Sequence, residues 1–324
     1  MNKKSKKSTL IKNRVYLFVF ALLLTSSVLA LIGSKFFLQN NSKPNGLMML
    51  IEFEQIDGIL QWEKELDSRN MTAIIKVQDN VLREYPEVFK RLSDKGYEIA
   101  GGYDEAPFWD MPYEEQYQYL KASKEFIEQL TGKKMRVFGS RYFAYDKNTL
   151  IAADKLGIDY ILARGTQDIE AVIYAPQEYK TKVISVTSVD LGQPMGRGSL
   201  CDYSLWARGS TATEFGQIVT ESIAKKPRNL ILVSHAYLGG TRLIWWQEYK
   251  NILDSDLINW QSFDQWLAGQ TPISLPNSDI NINREVNYVA PQPEKPMDQY
   301  QAIPGLENLD PSPSVQDQDS TKCQ

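Results

Sequence analysis

The chain has 324 residues, with 36 basic and 40 acidic side chains, a formal net charge of −4, two cysteines and one histidine. Without a basic stripe beyond the amino terminus, nucleic acid is an improbable partner, and one thiol in the body with one in the tail makes no disulfide framework. There is no internal repeat and no phosphate-cradling glycine loop.

The first 14 residues carry Lys3, Lys4, Lys6, Lys7, Lys12 and Arg14, and the uncharged apolar run Val15–Gly33 follows. About 20 such residues cross a bilayer as a helix, and the basic cluster before them places the amino terminus in the cytoplasm. Residues 15–34 are therefore expected to be a single-pass signal anchor, with the remainder outside the cytoplasm. Cleavage after Val28-Leu29-Ala30 is the alternative and would release the body. Residues 35–46 form a polar linker, and 47–269 are long enough for one barrel-sized domain. From Pro272 the composition turns to Pro, Gln, Asn, Asp and Ser, so residues 270–324 are expected to be disordered.

Within the body, helices and strands alternate. Leu47–Phe53 reads as a strand and Ile59–Leu66 as a helix. Met71–Val77 is a strand, Pro86–Asp94 a helix closed by Gly96, and Tyr97–Ala100 a strand. Then come a helix over Tyr113–Leu130, a strand at Arg136–Gly139, a helix at Asn148–Leu156 and a strand at Ile158–Ala163. Ile184–Val189 and Asn229–Val233 are further strands, Leu191–Arg208 is a long irregular loop, and Trp260–Leu267 is an aromatic amphipathic helix. This alternation indicates an α/β fold with a parallel sheet, whose chemistry lies at the carboxyl ends of the strands. Those ends carry Glu54 and Asp57, Gly101–Trp109, Ser140–Asp146 and Ser234-His235.

The order of these segments resembles the polysaccharide deacetylase family over roughly Leu47–Leu267. The stretches carrying the resemblance are Gly96-Tyr97-Glu98-Ile99, Thr131-Gly132, Tyr142-Phe143-Ala144-Tyr145-Asp146 and Leu156-Gly157-Ile158-Asp159-Tyr160. It implies an irregular seven-stranded β/α barrel and hydrolysis of carbohydrate N-acetyl groups. In that family the first strand ends in Thr-Phe-Asp-Asp-Gly, with a general base and a metal ligand. Aligned without a gap, Glu54 falls on the base and Gln55 on the ligand; with two residues inserted, Asp57-Gly58 supplies the end of the motif. The alternative role for either acid is to cap the following helix. Glu52 shares a strand face with Glu54, which allows a carboxylate pair. The family's two metal-binding histidines fall on Gly102 and Ala106, which offer no ligand, so no metal or other cofactor is expected.

Arg141 beside Tyr142 matches the family's Arg-Pro-Pro-Tyr-Gly motif with the arginine displaced. His235 falls on the general acid of its final Leu-x-His motif. The candidate catalytic residues are thus Glu54, Asp57, Arg141 and His235. Tyr103, Asp104, Trp109 and Tyr142 are the candidate substrate-binding residues, since aromatic faces suit the C–H faces of sugars. Three functions fit. One is a membrane-anchored deacetylase acting on a cell-envelope polysaccharide or peptidoglycan; another is an inactive module that binds such a glycan. The third is a glycoside hydrolase using two carboxylates, Glu54 with Asp104 or Glu105, which needs no metal.

Overall fold

A computed structural model describes residues 43–109, 111–166, 169–192, 194–276 and 293–307. In chain order it contains β1 (Asn45–Glu52), α1 (Asp57–Ser68), β2 (Ala73–Gln78), α2 (Asp79–Glu84), α3 (Pro86–Asp94), β3 (Glu98–Tyr103), α4 (Tyr113–Thr131) and β4 (Val137–Ser140). A short 3-10 turn (Arg141–Phe143) leads to α5 (Lys147–Leu156), β5 (Tyr160–Ala163), β6 (Val172–Pro176), β7 (Lys182–Ser185), β8 (Ser188–Asp190) and β9 (Arg197–Ser199). Then follow α6 (Asp202–Trp206), α7 (Ala212–Ala224), β10 (Asn229–His235), α8 (Ala236–Gly239), α9 (Leu243–Asp254), β11 (Asn259–Trp260), α10 (Phe263–Ala268) and β12 (Ile273–Leu275).

Local chemistry sets many of these boundaries. Proline at the first position opens α3 without losing a hydrogen bond. A reciprocal capping box between Asp146 and Thr149 opens α5, and Gly157 in the left-handed region (φ 71°) closes it. Gly132, at φ 68°, ends α4 in the same way.

The main sheet runs β10-β1-β2-β3-β4-β5-β7-β6-β12, with β11 beside β1. From β10 to β7 the pairings are all parallel, which makes seven parallel strands. β6 joins antiparallel to β7, and β12 extends that edge. The result is a half-barrel, larger than the expected seven strands. Strand alternation divides its core in two. Leu47, Met49, Ile51, Ile74, Val137 and Ile231 pack on the inner face. Met48, Leu50, Ile75, Phe89 and Trp62 pack outward against the helices. The β8–β9 excursion spans the open side: Leu200 donates to the Thr187 carbonyl, and Val233 on β10 donates to the Leu200 carbonyl.

Three expectations need correction. The single strand at Ile184–Val189 is broken at Thr187, whose hydroxyl turns aside to accept the Ile231 N–H at 2.7 Å. The helix at Trp260–Leu267 begins only at Phe263, because Ser262 caps it and Trp260 pairs with Gly46 as strand. The tail is not uniformly disordered. β12 pairs with β6, and residues 293–307 pack on the body, burying Met297, Tyr300 and Ile303. Their backbone is held too: Leu243 donates to Gln301, Ile303 to Thr241, and the Trp206 indole to the Lys295 carbonyl at 3.1 Å. The expected anchor, residues 15–34, lies outside the described residues, as do 277–292 and 308–324. Among those described, no helix is long and apolar enough to cross a membrane.

Tyr300 is 5% exposed and meets Trp245 edge-on. Tyr300→Ala is therefore expected to cost about 3 kcal/mol in urea unfolding, as for other buried aromatic truncations. A surface tail would give no change.

Candidate functional site

The carboxyl ends of the parallel strands surround one cleft. Ile51 and Phe53 reach it from β1, Lys76 from β2, Asp104 and Trp109 from the segment after β3, and Ser140–Phe143 from β4. Arg164 follows β5, His235 and Tyr237 come from the end of β10, and Cys201, Tyr203 and Arg208 come from the excursion around α6. Its roughly 140 Å³ is the volume of about five waters, the room of one ring-sized group.

His235 stands at one wall. Its ring lies 4.8 Å from that of Tyr203, 5.6 Å from Tyr237 and 6.4 Å from Phe53. Behind it Asp202 is fully buried. One carboxylate oxygen, Oδ1, accepts the backbone N–H of Tyr203 (2.6 Å) and of His235 (2.9 Å) and lies 3.4 Å from His235 Nδ1. The other oxygen accepts the Ser234 hydroxyl at 2.9 Å. Such a carboxylate fixes the ring's orientation and favours a proton on Nδ1.

Cys201 Sγ lies 3.2 Å from the same nitrogen, so Cys201, Asp202 and His235 form a group of potential metal ligands among the described residues. Both Asp202 oxygens already accept donors, and burial pushes the Cys201 thiol well above its usual range, with the Asp202 charge adding to this.

The opposite wall is aromatic and cationic. The Arg164 guanidinium lies 5.1 Å from the Trp109 ring and 5.3 Å from Tyr142, and its Nε donates to the Tyr142 carbonyl. Arg141 lies 5.0 Å over Tyr142 and donates to the carbonyls of Asp104 and Glu105. Tyr142 and Phe143 hold φ of 57° and 53°. Two consecutive left-handed residues with bulky side chains cost roughly 1–2 kcal/mol each, and strain of this kind gathers at functional sites.

Of the residues singled out from sequence, Arg141, His235, Asp104, Trp109 and Tyr142 meet in this cleft. Glu54, Asp57 and Tyr103 do not line it. Asp57 is the first residue of α1, where an acid complements the helix dipole. Tyr103 is buried between Phe108 and Tyr119, so it packs the wall from behind. Glu52 does not form an acid pair with Glu54: its Oε1 accepts the backbone N–H groups of Phe53, Glu54 and Gln55 and shapes the turn after β1. Asp104 is the one carboxylate lining the cleft among the described residues, and it is bound to Lys76. Of Glu54, Asp104 and Glu105, the acids named for a two-carboxylate glycoside hydrolase, Asp104 alone lines the cleft. Lys76, Asp202 and Arg164 were not anticipated. A lysine inside the apolar run Ala73–Val77 was the visible signal for the first; the other two had none.

Residues 61–161 match the family model for polysaccharide deacetylase. No curated protein matches the sequence. Among solved structures, a protein of Mycobacterium smegmatis assigned as a polysaccharide deacetylase superposes with a TM-score of 0.54 at 11% identity, covering 72% of this chain and 95% of that one. One of Pseudomonas aeruginosa with the same assignment gives 0.50 at 15% identity, covering 76% and 93%. PuuE allantoinase gives 0.52 at 12% identity, covering 70% and 90%. The chain thus has the polysaccharide deacetylase fold and a segment matching that family. The allantoinase shows that the same scaffold serves other substrates, so the site must decide.

The residues at the family's metal positions do not fit a metal. Gln55 and Ala106 offer no carboxylate, thiolate or imidazole. A side chain at Gly102 would start 2.8 Å from the Val77 carbonyl oxygen, so the backbone itself closes that position.

Burial raises the Glu52 carboxyl from 4.5 to about 8, against the lowering effect of its three backbone N–H bonds. The folded protein therefore keeps a proton on Glu52 that the unfolded chain releases near pH 4.5, and stability falls as pH rises from about 5 to 8. Glu52→Gln removes this dependence. The stability difference is expected to shift toward the variant across that range in denaturation measured at several pH values; parallel curves would show that Glu52 titrates normally.

Proposed function

We propose that this is a membrane-anchored, extracytoplasmic deacetylase-fold protein that binds an N-acetylated cell-envelope glycan in the cleft. One observation carries the reading. The cleft keeps an aromatic and cationic wall of Trp109, Tyr142, Arg141 and Arg164 and a carboxylate-held His235, while the family's metal positions hold Gln55, Gly102 and Ala106. Aromatic and guanidinium faces suit sugar rings. The family match and the shared fold support a polysaccharide as ligand, and the basic amino terminus with its apolar run supports the anchor.

Hydrolysis of the N-acetyl group is the second reading, favoured by the Asp202–His235 contact. In it His235 moves the proton at its ring nitrogen facing the glycan, and Arg141 is the cation at the mouth. Neither Glu54 nor Asp57 is among the residues lining the cleft, which is our ground for favouring binding without turnover.

Acetylated chitin oligomers and peptidoglycan should bind the chain from residue 39 onward, and acetate release should stay at background with or without added divalent metals. Trp109→Ala is expected to weaken binding roughly ten-fold, as loss of a stacked aromatic does. Acetate release lost in His235→Ala would instead establish hydrolysis, and release sensitive to chelator would show a metal site built from other residues.

A further inference from the structure

Lys76 is the charged side chain on the inner face of β2, following Ile74 in the barrel core. It is 1% exposed, yet it lines the cleft. Gly139 on β4 makes room for it: a Cβ there would lie 3.3 Å from Lys76 Cδ. Its ammonium bonds the Asp104 carboxylate, which is its one hydrogen-bond partner among the described residues. An ammonium has three N–H donors, so two remain to be satisfied at the wall of a cleft where burial makes an unmet donor costly.

The place of this group is informative. Asp104 lies two residues after Gly102 and two before Ala106, the positions on which the family's metal-binding histidines fall. The protein thus sets a cation of its own, fixed by Asp104, at the strand end where the family holds an ion. The pair is neutral as a whole, so it suits a dipolar acceptor better than a full negative charge.

We propose that Lys76, held by Asp104, takes the place of the divalent ion and donates hydrogen bonds to the carbonyl oxygen of an acetamido group on the bound sugar. This rests on the reading of the cleft as a site for an N-acetylated glycan. An ammonium polarises a carbonyl but brings no metal-activated water with it, which fits a site that holds the acetyl group without cleaving it.

Titration calorimetry of the full chain in detergent tests this with three oligosaccharides: N-acetylated chitotetraose, its fully deacetylated counterpart, and an oligogalacturonate. The wild type should prefer the acetylated oligomer, and chelator should leave that affinity unchanged. The double variant Lys76→Met/Asp104→Asn, which strands no buried charge, should lose roughly ten- to a hundred-fold of it, the usual weight of a hydrogen bond from a charged donor. The loss should fall more heavily on the acetylated than on the deacetylated oligomer, so that the preference between them narrows. A folded double variant that binds the acetylated oligomer like the wild type would overturn the role of Lys76 while leaving the glycan reading intact. Loss of wild-type binding in chelator, or preference for the oligogalacturonate, would overturn it also. Should the double variant not fold, the chelator and acetylation arms on the wild type still decide. Binding of none of the three sugars would remove the glycan reading itself.

Discussion

The buried carboxylate of Asp202 is the interaction on which the site depends. It joins α6, in the irregular excursion, to the end of β10 through the N–H groups of Tyr203 and His235 and the hydroxyl of Ser234. Gly239 lets α8 approach it, since a Cβ there would come within 2.4 Å of its Oδ2. A buried charge so fully provided with donors is tolerated where an unpaired one is not. The same contacts tie the excursion across the open side of the sheet and orient the imidazole. Closure of the fold and definition of the site are one event.

Two consequences of burial separate the walls of the cleft. At the β10 end, the Asp202 carboxylate is met by backbone and hydroxyl donors, and the His235 ring beside it lines the cleft. At the β2 and β3 ends, Lys76 and Asp104 meet each other directly. Between them Arg141 and Arg164 are held on aromatic faces and backbone carbonyls, which orients their planar cations.

The elements most legible in the sequence were those with chemical punctuation. Pro86 and Gly96 bracket α3, and Gly132 and Gly157 end α4 and α5, because proline and left-handed glycine act locally. α7 was missed although its capping box, Thr211 with Glu214, stands in the sequence; Gly216 and the β-branched Val219 and Thr220 weaken its helical pattern. The packed stretch at 293–307 escaped a compositional reading because a few well-placed apolar residues hold it. His235 was legible from its place after an apolar strand. Its partner was not, because the contact joins residues 33 apart and periodicity carries no information on such pairs. Glu54 and Asp57 stand outside the cleft lining, in a turn whose path is set by the Glu52 side chain wrapping the following backbone.

The position of β1 has a bearing on assembly. It lies between β2 and β10, with Asn45 opposite Asn229 and Ile51 opposite His235. One edge of the first strand therefore waits for a partner 184 residues later in the chain (229 less 45). At ribosomal speeds of about 5–20 residues per second that interval is roughly 10–40 seconds. During it the sheet can grow from β1 in one direction only, with the N–H and C=O groups along the other edge of that strand unpaired. Vectorial synthesis thus leaves the cleft, together with His235, among the last features to form.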